Sequence, residues 1–529
     1  MKSANLKRTD RAVARTAALA VLMAAGTHAQ EALNVNPDEY LTGVLSSNRA
    51  LLEQPQTGEG WVWRIYWHMP SFLLAYEIAG DARWLDVAGR FYDAVLDKAA
   101  EGPDGYRGWL GPHVHTQYPV WNDAQISDAL IYATLLRFSE IVLVEQPETL
   151  KAAHGARAER YVAMARRNLF EKWERRGTIR EDGPFATVVQ WDHFAPAGDP
   201  ARWVAMPKQS PANMSNPHNK TLYFGTAALR LHRITGEARY RALAERIFGG
   251  FKARLLRNGA HYVWNYWEPY GPWDLDSDKP NGLQHGVWTH PRQPAYQVSE
   301  MENVVQAYHY GVVFTEADIR AFLSTNLEVM WDGNRERPGF ANSNVAADPD
   351  GRRPAAGQPS SGALWSALRD FSDTVRELEM AMPANLAHPR IQIDRAYALH
   401  RNATRPAGFG RRFVPDDTAI PPLYARLPIG GGDAVRLAVA LPARLPSDGG
   451  TTLVWQTNRT TPIEIAVFDE TGTQKLFDLH RGESVAGATR RLAFDGREPA
   501  SGRRLAAGAY VVRWTTPKNG SRGFPIEVQ

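Results

Sequence analysis

The chain has 529 residues, 44% hydrophobic and 22% charged, enough for two to four domains with ordinary cores. It contains no cysteine, which excludes disulfides, thiolate metal sites and a cysteine nucleophile. The formal charge of +4 resides in the first 15 residues, and from Gln30 onward 56 basic residues face 56 acidic ones. No whole-chain field therefore draws in nucleic acid or an anionic membrane, and selectivity has to come from a site.

Residues 1–29 run from a basic start through an apolar stretch, Thr16 to Gly26, to the small residues Thr27 and Ala29 before Gln30, the order of a cleaved export signal. That stretch is shorter than the roughly 20 residues of a spanning helix. The expectation is a periplasmic or secreted protein without membrane insertion. The body then carries a repeat: Ile78, Gly80, Ala82, Arg83 and Arg90 recur 156 residues later as Ile234, Gly236, Ala238, Arg239 and Arg246. In both copies apolar residues follow the glycine at helical spacing, Trp84, Val87, Ala88, Phe91 and Val95 in one, Tyr240, Leu243, Ala244, Ile247 and Phe251 in the other. The unit is an αα-hairpin turning at glycine.

Residues Trp121 to Val144 with Arg157 to Trp173, Gln297 to Phe314 with Glu316 to Trp331, and Ala363 to Met380 with Ile391 to Ala403 fit the same grammar, with weaker helical signal from Glu39 to Glu53. A run of such hairpins buries its faces by closing side by side, so residues 30–405 are expected to form an (α/α) toroid of six or seven hairpins. The returns between hairpins, Lys98 to Val120, Glu174 to His218, Arg257 to Tyr296 and Asp332 to Gly362, are long, and long loops in a compact domain usually carry function. All should lie at one mouth of the ring. After a Pro- and Gly-rich stretch, short alternating runs (434–441, 451–457, 463–468, 490–494 and 510–515) predict that residues 406–529 form a C-terminal antiparallel β-sandwich. Its sparse aromatics favour a supporting role over carbohydrate binding.

The return loops are rich in aromatics: eight lie between Arg257 and Tyr296, Trp267 among them, and Tyr118 stands in an earlier loop. Rings with a polar tip suit the apolar faces of sugars. Three polar clusters stand where loops meet inner helices: Trp121, Asn122 and Asp123; Asn216, His218 and Asn219; and His290, Arg292, Tyr296 and Glu300. Helix starts favour anions, so three of them around one cavity make a carboxylate site, with plain N-capping the structural alternative for the Asn and Asp residues. Elimination across C4 and C5 of a uronic acid residue needs its carboxylate neutralised, a base for the C5 proton and an acid for the C4 oxygen. Fixed donors aimed at the developing enolate are worth roughly 3 to 4 kcal/mol each. Arg292, Asn219 and Asn122 are candidate donors, Tyr296 a candidate for both proton transfers with Arg292 lowering its pKa, and His218 a candidate for positioning or as base.

An exported helical toroid followed by a β-sandwich, with Asn-Pro-His-Asn at 216–219 and Arg292 and Tyr296 before an inner helix, resembles polysaccharide lyase family 38. The resemblance implies a glucuronan or alginate lyase working by β-elimination, with Tyr296, His218 and Arg292 as its catalytic residues, Asn122 as a weaker match and an acidic polysaccharide as its partner. Trp121, Asn219, His290, Glu300, Trp267 and Tyr118 complete the expected substrate contacts. Two rivals stand beside it: a glycoside hydrolase drawing paired carboxylates from Asp123, Asp192, Glu268 and Glu300, and a noncatalytic glycan-binding protein. No phosphate loop or dinucleotide fingerprint is present, so no nucleotide cofactor is assigned. His113 and His115 have the spacing of a ligand pair without an identifiable third ligand, so no metal is assigned.

Overall fold

The computed structural model describes residues 33, 35–112, 120–196, 202–205, 212–279, 282–285, 287–289, 294–344, 362–425, 427, 435–517 and 520–529. The expected export signal, His113, His115, Tyr118, His290 and Arg292 lie outside the described residues. Helices with short strands between them occupy the chain to residue 425, and two larger sheets follow. The α-helices of eight or more residues are α1 (Pro37–Ser47), α2 (Glu59–Tyr66), α3 (Met69–Ala79), α4 (Arg83–Asp97), α5 (Gln125–Glu140), α6 (Pro147–Ala165), α7 (His218–Thr235), α8 (Ala238–Lys252), α9 (Pro294–His309), α10 (Glu316–Ser324), α11 (Asp373–Ala381) and α12 (Pro389–Thr404).

The sequence repeat is a repeat of structure. Helix α3 stops at Gly80 and α7 at Gly236, with φ of 64° and 74°, the left-handed conformation that ends a helix without a Cβ clash. The partner helices α4 and α8 then bury Trp84, Phe91 and Val95, and Tyr240, Ile247 and Phe251, against α3 and α7. Helix α5 is buried at every position. It packs on α2, α6 and α7; α7 packs on α9, and α12 packs on α3. A helix without a solvent face must satisfy its polar side chains internally. Asp128 does so through Lys172 Nζ at 2.8 Å and Trp173 Nε1–H at 2.7 Å.

The C-terminal ends of these helices meet in a charged plug. Arg137 pairs with Glu77 at 2.9 Å, Glu140 at 2.9 Å and Glu145 at 2.7 Å, and Arg233 with Glu140 at 2.7 Å. Tyr310 donates its hydroxyl to Glu140 at 2.6 Å. Burial opposes ionisation of Glu77, yet Arg412 and Arg137 hold its carboxyl down at about 2. Residues 405–421 cross this end, and Phe413 is flanked by the guanidinium groups of Arg233, Arg412 and Arg137 at 4.6, 5.2 and 5.5 Å.

Several elements differ from expectation. Residues 363–380 form a 3-10 turn, Ser366–Asp370, and then the shorter α11. The segment of Trp121, Asn122 and Asp123 is a strand, Val120–Asp123, leading into α5. Helix α2 was not anticipated, since its eight residues are too few for a periodic signal. Gly111, in the strand paired with Val120–Asp123, presses on the chain before α2 so closely that a Cβ there would meet Thr57 O at 2.0 Å.

The five expected C-terminal strands are present, and Lys475–Ser484 and Gly520–Val528 join them. One sheet orders Val435–Leu441, Thr451–Thr457 and Arg490–Phe494; the other orders Arg444–Leu445, Gly520–Val528, Gly508–Thr516, Thr461–Phe468 and Lys475–Ser484. All pairs are antiparallel except that of Arg444–Leu445 with Gly520–Val528. Ile463, Ile465, Val467, Val512 and Trp514 alternate into the core, as period-2 strands require. The sheets join the helical part through buried charge: Arg522 lies 3.2 Å from Glu268, which Arg254 approaches at 3.6 Å, and Asn265 donates to Glu268 and to Arg436 O. Ala443 N–H donates to Asp182 at 2.7 Å. No helix among the described residues is long and apolar enough to cross a membrane.

Removing one partner of a buried pair leaves an uncompensated charge, at a cost of about 3 to 5 kcal/mol. Arg522→Met is expected to lower the urea midpoint of unfolding accordingly, while Arg83→Met, in an exposed pair with Asp81, leaves it within about 0.5 kcal/mol.

Candidate active site

The starts of α2, α5, α7 and α9 are tied together. Asn216 Nδ2 reaches Gln125 Oε1 at 3.4 Å, joining the turn before α7 to the start of α5. Lys220 Nζ in the first turn of α7 lies 2.5 Å from Glu59 at the start of α2, and Trp63 Nε1–H donates to the same carboxylate at 3.2 Å. Tyr296 in the first turn of α9 is half-buried and stacks on Tyr266 with ring centres 4.6 Å apart and planes 16° apart. Glu59 acts electrostatically on both phenols.

This pairing follows from two periodicities. Alternate residues on a strand advance about 6.6 Å, and four residues of helix about 6 Å, so Tyr266 and Trp264 meet Tyr296 and Glu300 in register. Trp264 Nε1–H donates to Glu300 Oε2 at 2.8 Å. Burial raises the Glu300 carboxyl to about 8 against the hydrogen bond from Trp264, so it is protonated at neutral pH, and its Oε1 has no partner among the described residues. Burial raises both phenols, and the hydrogen bond between them acts upward on Tyr266 and downward on Tyr296, which makes Tyr296 the more acidic of the two.

The same end collects unsatisfied amides. Asn122 is 1% exposed, and neither its Oδ1 nor its Nδ2 has a partner among the described residues; the same holds for Asn219 Oδ1 and Gln125 Nε2. Buried polar atoms normally find partners. These four atoms mark places where a bound polar molecule would complete the hydrogen bonding.

Other expected site residues are placed differently. His218 lies against Phe251 and Tyr270, at 5.0 and 6.1 Å between ring centres, and these contacts share no residue with those of Tyr296. Burial, with Arg254 and Arg522 nearby, lowers its pKa to about 3, so the ring is neutral. Trp267 is 2% exposed and donates its indole N–H to Ser215 O at 2.7 Å, so it is part of the wall rather than an open platform. Most return-loop aromatics share that fate because the loops fold into short hairpins that bury them, whereas Trp121 is half-buried. The carboxylates expected for a hydrolase are largely engaged. Asp123 is bound by Lys172 at 2.7 Å and Arg176 at 2.8 Å, Glu268 by Arg522, and Asp192 by His193 at 2.7 Å. Among the described residues no group of three or more His, Asp or Glu side chains is arranged to hold a metal ion.

Glu59, Lys220, Tyr266 and Trp63 were missed. Glu59 and Trp63 sit on the unanticipated α2, and Lys220 follows the Asn-Pro-His-Asn run directly. That position, in the first turn of an inner helix, was the available signal.

No family model matches the chain, and no curated protein matches it. Among solved structures, the chain aligns with the Pseudomonas fluorescens alkylpurine DNA glycosylase AlkC bound to DNA containing an abasic site analog, at 12% identity over 76% of this chain and 97% of that one, with a TM-score of 0.15. A likeness of that score carries no argument about fold or function.

Glu300 has a definite pH signature. Its folded-state pKa stands above the roughly 4.3 of an unfolded glutamate, so its contribution to stability is full below that value and is lost as pH rises through about 8. Glu300→Gln is expected to flatten the fall in melting temperature between about pH 5 and pH 8 seen in the parent by calorimetry.

Proposed function

We propose that the chain is an exported polysaccharide lyase that cleaves a 1,4-linked polyuronate, glucuronan first and alginate second, by β-elimination. Residues 1–29 serve as the export signal, 30–405 as a catalytic (α/α) toroid and 406–529 as a supporting β-sandwich. The toroid reading is supported by the succession of packed elements from α3 through α5, α7 and α9, then the 3-10 turn Ser366–Asp370 and α11, to α12 and back to α3.

The observation that carries the chemistry is the Tyr266–Tyr296 phenol pair beside Glu59 and Lys220, at the end where the amides of Asn122, Asn219 and Gln125 are unsatisfied. In this reading Asn122 Nδ2 and Gln125 Nε2 donate to the substrate carboxylate and hold the charge that develops as C5 loses its proton, while Asn122 Oδ1 and Asn219 Oδ1 accept from sugar hydroxyls. Each such donor contributes roughly 3 to 4 kcal/mol. Tyr296, as phenolate, takes the C5 proton; the C4–O bond breaks as the C4=C5 bond forms, and the same phenol returns a proton to the leaving oxygen. No water is consumed. Tyr266 stabilises the phenolate by donating to it, and Arg292 supplies the cation. His218, neutral and buried, acts by fixing the start of α7 rather than at the reacting carbon.

A hydrolase on the same scaffold would use neutral Glu300 as acid. Glu300 is fully enclosed and Trp264 occupies one of its oxygens, which favours elimination.

Incubation with glucuronan, alginate and polygalacturonate should yield product absorbing in the ultraviolet and carrying no solvent oxygen for at least one polymer. Chain cleavage without such absorbance rejects the lyase. Tyr296→Phe is expected to lower kcat by about a hundredfold or more while retaining binding, and unchanged turnover removes Tyr296 from the mechanism.

A further inference from the structure

A second polar group lies further along α9 than Tyr296 and takes no part in the elimination. Glu302 on α9 is exposed although Met301 and Asn303 beside it are buried. Desolvation nevertheless raises its carboxyl, with Arg390 and Arg369 drawing it down, Asp394 acting upward and the Tyr223 hydroxyl hydrogen-bonded to it. Its carboxyl thus stands between solvent and the side chains of Tyr223, Arg390 and Arg369. Tyr223 is in turn hydrogen-bonded to Tyr66, with ring centres 5.7 Å apart, and Trp63 closes the aromatic wall at 6.3 Å from Tyr223.

Arg390 faces this wall. Its Nε donates to the Asp394 carboxylate at 3.0 and 3.1 Å, its guanidinium lies 5.1 Å over the Trp67 ring, and its buried Nη1 has no partner among the described residues. Arg390 acts on Glu302 electrostatically, but its ion pair is with Asp394. Trp67 is 43% exposed, and His388 meets it edge-on at 5.1 Å. His388 Nδ1 accepts the Arg390 backbone N–H at 3.2 Å, which puts the proton of a neutral ring on Nε2.

We infer that Trp67, Arg390, His388 and Glu302 form a second saccharide subsite that holds a uronate residue of the same polymer away from the bond being cleaved. The inference rests on the polyuronate reading above. The unpartnered guanidinium nitrogen takes the sugar carboxylate, Glu302 accepts sugar hydroxyls, and Trp67 offers its ring to the sugar's C–H face. Glu302 stands six residues beyond Tyr296 on α9, roughly 9 Å along the helix axis, so the unit bound here is not the one that reacts. The subsite also gives a reason for the charge arrangement: Arg369 is engaged by Glu379 at 2.5 and 2.9 Å, which leaves Arg390 as the cation with donors to spare.

The test is calorimetric titration of the full chain carrying Tyr296→Phe, with hexaglucuronate and its carboxyl-reduced counterpart as probes. Adding Arg390→Met is expected to weaken hexaglucuronate binding roughly tenfold or more and to leave the reduced sugar within about twofold. Adding Trp67→Ala is expected to weaken both probes. Because Trp67 is exposed, that variant carries the test if Arg390→Met fails to fold. Parental affinity for hexaglucuronate in Trp67→Ala and in a folded Arg390→Met overturns the subsite, and equal loss of both probes in Arg390→Met overturns its selectivity for the carboxylate. The two readings separate cleanly. Ultraviolet-absorbing product with Arg390-independent binding sinks the subsite alone, whereas Arg390-dependent binding without such product sinks the elimination alone.

Discussion

The structure depends on one constraint: helices buried on every side must find a partner for each polar group they carry, since an unpaired buried polar group costs a desolvation penalty of about 1 to 3 kcal/mol. At the C-terminal ends of α3, α5 and α7 the obligation is met by protein, as Arg137, Arg233, Glu77, Glu140 and Tyr310 pair with one another. At the opposite ends it is not, and Asn122, Asn219, Gln125 and Glu300 keep atoms without partners among the described residues. The contrast gives the helices a finished end and an unfinished one, and the candidate chemistry lies at the unfinished end.

The same constraint explains which charged residues are structural. Asp123 looked available for catalysis because it stands at a helix start, but Lys172 and Arg176 hold its carboxyl below its ordinary value against the opposing effect of burial. Glu268 is likewise committed to the join between helices and sheets. Side chains with capacity left over, Tyr296, Lys220, Arg390 and Glu302, lie on α7, α9 and α12 where solvent reaches them.

Much of this was legible in the sequence, and the reasons are physical. The glycine turns at 80 and 236 and the apolar stripes behind them are local signals, and they placed the hairpins correctly. Five of the C-terminal strands were readable from alternation, while Lys475–Ser484 was not, because this half-exposed edge strand lacks a clear apolar face. Tyr296 was legible as a candidate from its position at a helix start. Its partner Tyr266 was not, because a strand thirty residues earlier is brought beside it only by tertiary folding. The aromatic wealth of the return loops misled for the opposite reason: composition counts rings but does not say which face of a loop they occupy, and Trp267 turned inward. Helix α2 and its Glu59, Trp63 and Tyr66 fell below the length at which periodicity speaks.

The join through Arg254, Glu268 and Arg522 bears on how the gene could be divided. Two positive groups share one carboxylate there, and the only one contributed by the sheets is Arg522. A fragment ending before the sheets would strip that carboxylate of its nearer counter-ion and open Phe185 and Asp182 to water. The C-terminal part thus supplies the helical part with a buried counter-ion and an apolar cover in one contact.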